Sequence, residues 1–77
     1  MPTESATIRM LLAQAAELLA TDSPRLDAEL LLACCLDKSR SYLYTWPDVI
    51  PPADIQARFR ELLARRIAGE PVAYLLG

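Results

Sequence analysis

Residues 24–36 read PRLDAELLLACCL, and the fold turns on this stretch. Ser23 followed by Pro24 is a helix opening: a serine oxygen can accept one of the orphan amides of a first turn, and proline at the first helical position forfeits no donor that the helix needs. After Arg25, Asp27 and Glu29, the run from Leu30 to Leu36 is apolar on every side. Such a helix has no face to offer to water, so other elements must surround it. It is the expected centre of a helical bundle, and truncating Leu31 or Leu32 should cost on the order of 2–5 kcal/mol each. Asp27 and Glu29 lie two apart on the helix and face away from each other, which excludes a shared-proton pair and reads as solvated charge.

The flanking segments supply the surrounding helices. From Thr7 to Ala20, Ile8, Leu11, Leu12, Ala15, Leu18 and Leu19 recur at three- and four-residue spacing, with Arg9, Gln14 and Glu17 off that stripe. Ser5 or Thr7 caps this helix, and the Thr21-Asp22-Ser23 cluster stops it. Asp37 and Lys38 break the central helix, after which Ser39 can cap a short one holding Tyr42 and Leu43 and reaching toward Trp46. Pro47, Pro51 and Pro52 then enforce an extended crossover, because the residue before a proline is driven out of helical backbone space. Residues 53–68 give the clearest helix, with Ile55, Phe59, Leu62, Leu63 and Ile67 on one face and Gln56, Arg58, Arg60, Glu61 and Arg65 on the other. Asp54 with Arg58 and Glu61 with Arg65 are acid-before-base pairs four apart. Gly69 supplies a left-handed cap, and Pro71 opens one further turn from which Val72, Leu75 and Leu76 pack back. The expectation is an all-α, compact bundle of about five helices, two of them short.

The 77 residues suffice for one domain, 1–77, and their 53% apolar content with only two glycines argues for a folded chain. The net charge is -2 and the pI near 4.9, which gives no overall field toward nucleic acid or an anionic membrane. Residues 1–37 hold six acids against two bases, whereas residues 38–77 hold six bases against four acids, with Arg58, Arg60, Arg65 and Arg66 close together. Those arginines are either the solvated face of an amphipathic helix or a partner surface. Tyr42, Tyr44, Trp46, Phe59 and Tyr74 are either a stacking platform for single strands or packing groups, Phe59 and Tyr42 in the core and Trp46 anchoring the crossover against a helix end.

Cys34 and Cys35, adjacent on a helix, point about 100° apart and read as unbridged, core-packing thiols suited to a reducing cytosol. With no histidine, imidazole general acid/base catalysis and His-metal sites are absent by composition. Glycines at 69 and 77 alone cannot build a phosphate-cradling loop. No catalytic, cofactor-binding or metal-binding residue is expected, nor a signal peptide or membrane span; a cytoplasmic monomer is the expectation. A helix-turn-helix reading lacks a polar, basic recognition helix after a tight turn, and a stand-alone interaction bundle stays open as a rival.

SPRLDAELLLA, then DKSRSYLYTW with its single Arg40, then ARFRELLARRIAGEPVAYLLG together resemble the N-terminal domain of the HemK/PrmC family of release-factor glutamine methyltransferases, over residues 8–77. The order Arg65, Arg66, Gly69, Glu70, Pro71, Tyr74, Gly77 carries most of that resemblance. It implies that a Rossmann-like methyltransferase domain follows Gly77, binding S-adenosylmethionine and carrying an Asn-Pro-Pro-Tyr motif. It implies methylation of the glutamine amide in the Gly-Gly-Gln motif of class I peptide-chain release factors, with residues 1–77 serving substrate recognition. Arg58, Arg60, Arg65, Arg66 and Tyr74 then face either the release factor or, for Arg66 and Tyr74, the hinge to the catalytic domain.

Overall fold

The computed structural model describes residues 6–76, and within them the chain forms α1 (Ile8–Leu18), α2 (Pro24–Leu36), α3 (Arg40–Thr45), α4 (Ala53–Ile67) and α5 (Val72–Leu75). Five helices with α3 and α5 short is the expected class, and no strand occurs among the described residues. Helix α2 packs against each of the other four. Leu31 and Leu32 are fully enclosed, with Ile8, Leu12, Leu43 and Phe59 completing the core. Cα radius of gyration is 11.3 Å, close to the roughly 11.5 Å of a single compact domain of this length.

Local chemistry sets the helix ends. Thr7 Oγ1 accepts from the amide of Met10 at 3.2 Å, as expected of an N-cap; Ser5 lies outside the described residues. Helix α1 stops at Leu18, two residues before the expected end, because Leu19 turns extended and buries its side chain. Ser23 makes no side-chain cap, contrary to expectation; its carbonyl takes the amide of Asp27 at 2.9 Å and Pro24 fills the first helical position. Ser39 Oγ accepts from the amide of Tyr42, so the short third helix is capped as read.

Two helices close in the same way. After α2, Asp37 takes φ +56°, its amide donates to the Cys34 carbonyl and that of Lys38 to the Ala33 carbonyl. After α4, Gly69 takes φ +111°, with amides of Gly69 and Glu70 donating to the Arg66 and Arg65 carbonyls. Both are the paired backbone closure of a helix that needs a residue at positive φ.

The crossover is more than a spacer. Its Pro47 and Val49 carbonyls accept from the amides of Arg9 and Ile8, each at 2.9 Å, supplying two of the acceptors that the first turn of α1 lacks. Gln56, expected on the solvent face of α4, is fully buried: its Nε2 donates to the carbonyls of Pro51 at 2.8 Å and Ala6 at 3.3 Å. The reason is spacing, since Gln56 stands three residues before Phe59 and seven before Leu63 and so shares their side of the helix. Ile67, placed on the apolar face, is half exposed at the end of α4.

Candidate functional site

Helix α4 carries the four arginines, but they do not form one face. Arg58 and Arg65, seven residues apart, differ by only about 20° around the axis, while Arg60 lies about 200° from Arg58. Arg58 is exposed and makes no side-chain hydrogen bond or ion pair among the described residues. Arg60 lies half-buried, its Nη2 donating to Gln56 Oε1 at 3.2 Å. Arg65 grips Glu70 through two hydrogen bonds, Nε to Oε2 at 2.9 Å and Nη2 to Oε1 at 2.8 Å, in place of the expected pairing with Glu61. These bonds hold the Glu70 carboxyl below the usual carboxylate range.

Arg66 points inward. Its Nε is 3.4 Å from Asp27 Oδ2, with both side chains mostly buried, and its Nη1 donates to the Glu70 carbonyl at 3.4 Å. Asp27 is therefore not the solvated charge expected of it. Tyr74, on α5, is the most exposed of the large hydrophobic residues described, at 79%. So the structure brings Arg58 and Arg65 to one exposed side of α4 and turns Arg60 and Arg66 away from it.

A second polar centre, unforeseen in the sequence, joins α2 to α3. Glu29 is buried at 2% exposure and not solvated. Its Oε1 accepts from Tyr44 Oη at 2.6 Å and from Arg40 Nε and Nη2 at 3.1 Å; its Oε2 accepts from Arg25 Nε at 2.9 Å. Burial by itself pushes this carboxyl up, but the bonds from Tyr44, Arg25 and Arg40 together outweigh it and hold the group below its usual range. Arg40 is correspondingly held more firmly charged, first by Tyr44 and then by Glu29. Part of the signal was present in the sequence, since Arg25 precedes Glu29 by one helical turn.

The thiols divide. Cys35 is buried, and burial pushes its pKa up to about 11, whereas Cys34 is exposed and so departs from the expected core role. Of the aromatics, Phe59 is in the core and Tyr42 packs partly against it with Lys38 Nζ 5.4 Å from its ring centre. Trp46 does not bury against a helix end as expected; half exposed, it walls a shallow hollow with Pro47, Asp48 and Val49. No described helix is long and apolar enough to cross a membrane.

Comparison with known proteins gives a consistent result. Residues 10–77 match the model of the PrmC N-terminal domain. A release factor glutamine methyltransferase of Vibrio cholerae is 53% identical over 76 residues, covering 95% of this chain and 27% of that protein. Proteins of the same name from Aliivibrio fischeri and Pseudomonas aeruginosa are 50% identical over 64 residues and 57% over 58, covering 83% and 73% of this chain. The chain thus spans about a fifth to a quarter of the length of these relatives. No solved structure gives a significant match.

Proposed function

Because this chain belongs to the family of the PrmC N-terminal domain, we propose that it is the substrate-recognition domain of a release factor glutamine methyltransferase. The observation that carries the reading is the Vibrio cholerae match: 53% identity over 76 positions exceeds what the 19 buried residues among those described could supply. The likeness therefore reaches the surface, where a partner would be met. On this reading the domain grips the body of a class I release factor in the cytoplasm. Binding energy gathered far from the reacting amide then holds the Gly-Gly-Gln glutamine in the catalytic cleft, where its side-chain nitrogen takes the methyl group.

S-adenosylmethionine would supply that methyl group, and the residues present here do not fit it. Gly69, the one glycine among the described residues, is taken up in closing α4 at φ +111° with its amide on the Arg66 carbonyl, so no glycine-rich loop is there to hold it. The cofactor belongs to the portion of the protein outside these 77 residues.

Within the domain, exposure favours Arg58 as the cationic contact, because Arg65 is already held by Glu70 and Arg66 by Asp27. In the full-length enzyme, Arg58→Glu should raise KM for the release factor about five- to tenfold with kcat unchanged, as expected when one rim charge steers a protein partner. Arg60→Glu should do less, since Arg60 lies on another side of α4. Steady-state methylation of purified release factor reads both, and an unchanged KM for Arg58→Glu removes this surface from the reading.

A further inference from the structure

The buried carboxylate of Glu29 gathers more positive charge than it neutralises. Arg25 reaches it from the preceding turn of α2 and Arg40 from α3, so the three side chains sum to one net positive charge. Both guanidiniums stay about half exposed, with side-chain exposures of 52% and 46%. Arg25 donates only through Nε, and Arg40 through Nε and Nη2. Both terminal nitrogens of Arg25 and Nη1 of Arg40 are therefore without a hydrogen bond among the described residues. Tyr44, 59% exposed, gives its hydroxyl to Glu29 and leaves its ring beside Arg40. Guanidiniums already held by a buried anion lose little rotamer freedom on binding, and arginine and tyrosine are among the side chains that dominate protein interfaces.

We propose that Arg25 and Arg40 together receive a carboxylate from an acidic segment of the release factor, through the terminal N–H groups that Glu29 leaves unused. The proposal rests on the functional reading above and adds a second contact to that of Arg58. Three observations select this partner. A guanidinium edge matches a carboxylate in shape and in hydrogen bonding. One net positive charge suits one carboxylate rather than a polyanion, to which the chain as a whole, at net charge -2, offers no attraction. The site also lies on the side of α2 away from α5: Asp27, two residues from both Arg25 and Glu29, stands about 200° around the helix from each. That residue meets Arg66 at the end of α4, where the chain runs on into α5. A partner can therefore reach the half-exposed guanidiniums with every helix in place.

In the full-length enzyme the charge of the site can be stepped in both directions. Arg25→Gln removes its net positive charge, Glu29→Gln adds a second one, and the double variant restores the original sum with no buried carboxylate left to pair. KM for the release factor should follow that charge, about three- to tenfold higher for Arg25→Gln and about two- to fivefold lower for Glu29→Gln. The double variant should lie within about twofold of wild type, with kcat unchanged throughout. Damage to the fold has another signature, raising KM or lowering kcat in both single variants and most of all in the double one; that pattern overturns the proposal. So do KM values equal to wild type's, and so does an equal rise for Arg9→Gln, which removes an exposed positive charge from α1. Arg25→Lys supplies an amine that a carbodiimide joins directly to an adjacent carboxylate. Coupling to an Asp- or Glu-bearing peptide of the release factor supports the proposal, whereas coupling only within the enzyme or to a second copy of it overturns it. A wild-type enzyme that methylates no release factor removes the functional reading and this proposal with it. Normal methylation with a KM indifferent to these charges removes this proposal alone.

Discussion

Glu29 shows how far one carboxylate's role depends on what is brought to it. Removing one partner of a fully buried ion pair costs about 3–5 kcal/mol, but Arg25 and Arg40 are about half exposed and can return to water. A smaller loss follows, about 1–2 kcal/mol for Glu29→Gln at neutral pH, measured by chemical denaturation. The folded value lies below the ordinary 4.5. The stability contributed by the charge is therefore fully present above that ordinary value and is lost as pH falls through the folded one. Glu29→Gln should flatten the stability profile of the domain below about pH 5; an acid limb as steep as the wild type's would assign it to other carboxylates. Sequence alone read Glu29 as solvated because it stands two residues from Asp27 and faces away from it. Its real partners, Arg40 and Tyr44, come from the next helix, and only the folding back of α3 at Asp37 delivers them.

Elements here are legible where periodicity decides and less so where one element completes another. The all-round apolar character of Leu30–Leu36 placed α2 at the centre, and the prolines placed the crossover. What periodicity did not yield was the crossover's carbonyls serving as the cap of α1, or Gln56 bridging Ala6 and Pro51. A polar residue on an apolar stripe carries a message, since burial without partners is costly and so implies partners. Gln56→Leu keeps the volume and strands two buried carbonyls, so it should cost about 1–3 kcal/mol in thermal or urea unfolding. Amide exchange at Ile8 and Arg9 should speed up in that variant while α2 stays protected. Uniform acceleration across all helices would show that the bridge is merely one of many equivalent contacts. The arginines of α4 illustrate the same limit: clustering in sequence placed them together, yet the 100° step per residue sends Arg60 away from Arg58, and the charges of α2 and the Glu70 turn claim Arg66 and Arg65.

For the molecule as a whole, stability of a 77-residue fold is on the order of 4–12 kcal/mol, and α2 touches every other helix. Leu32→Ala, at a fully enclosed position, should therefore remove about 2–5 kcal/mol, a large part of the total. Circular dichroism should show a cooperative transition shifted by many degrees, and a shift of only a degree or two would mean that the core closes over the gap. The partner surface was the part least legible in the sequence, because it depends on which charges the fold has already neutralised and which apolar groups it leaves bare. Residues 46–52 draw one last consequence from the two carbonyls of Pro47 and Val49 that cap α1. Surface connections ordinarily absorb inserted or deleted residues with little penalty, but here the register of the connection sets where a different helix begins. Length variation in this stretch should be rare among relatives, and a deletion there would be felt first at the amino end of α1, forty residues earlier in the chain.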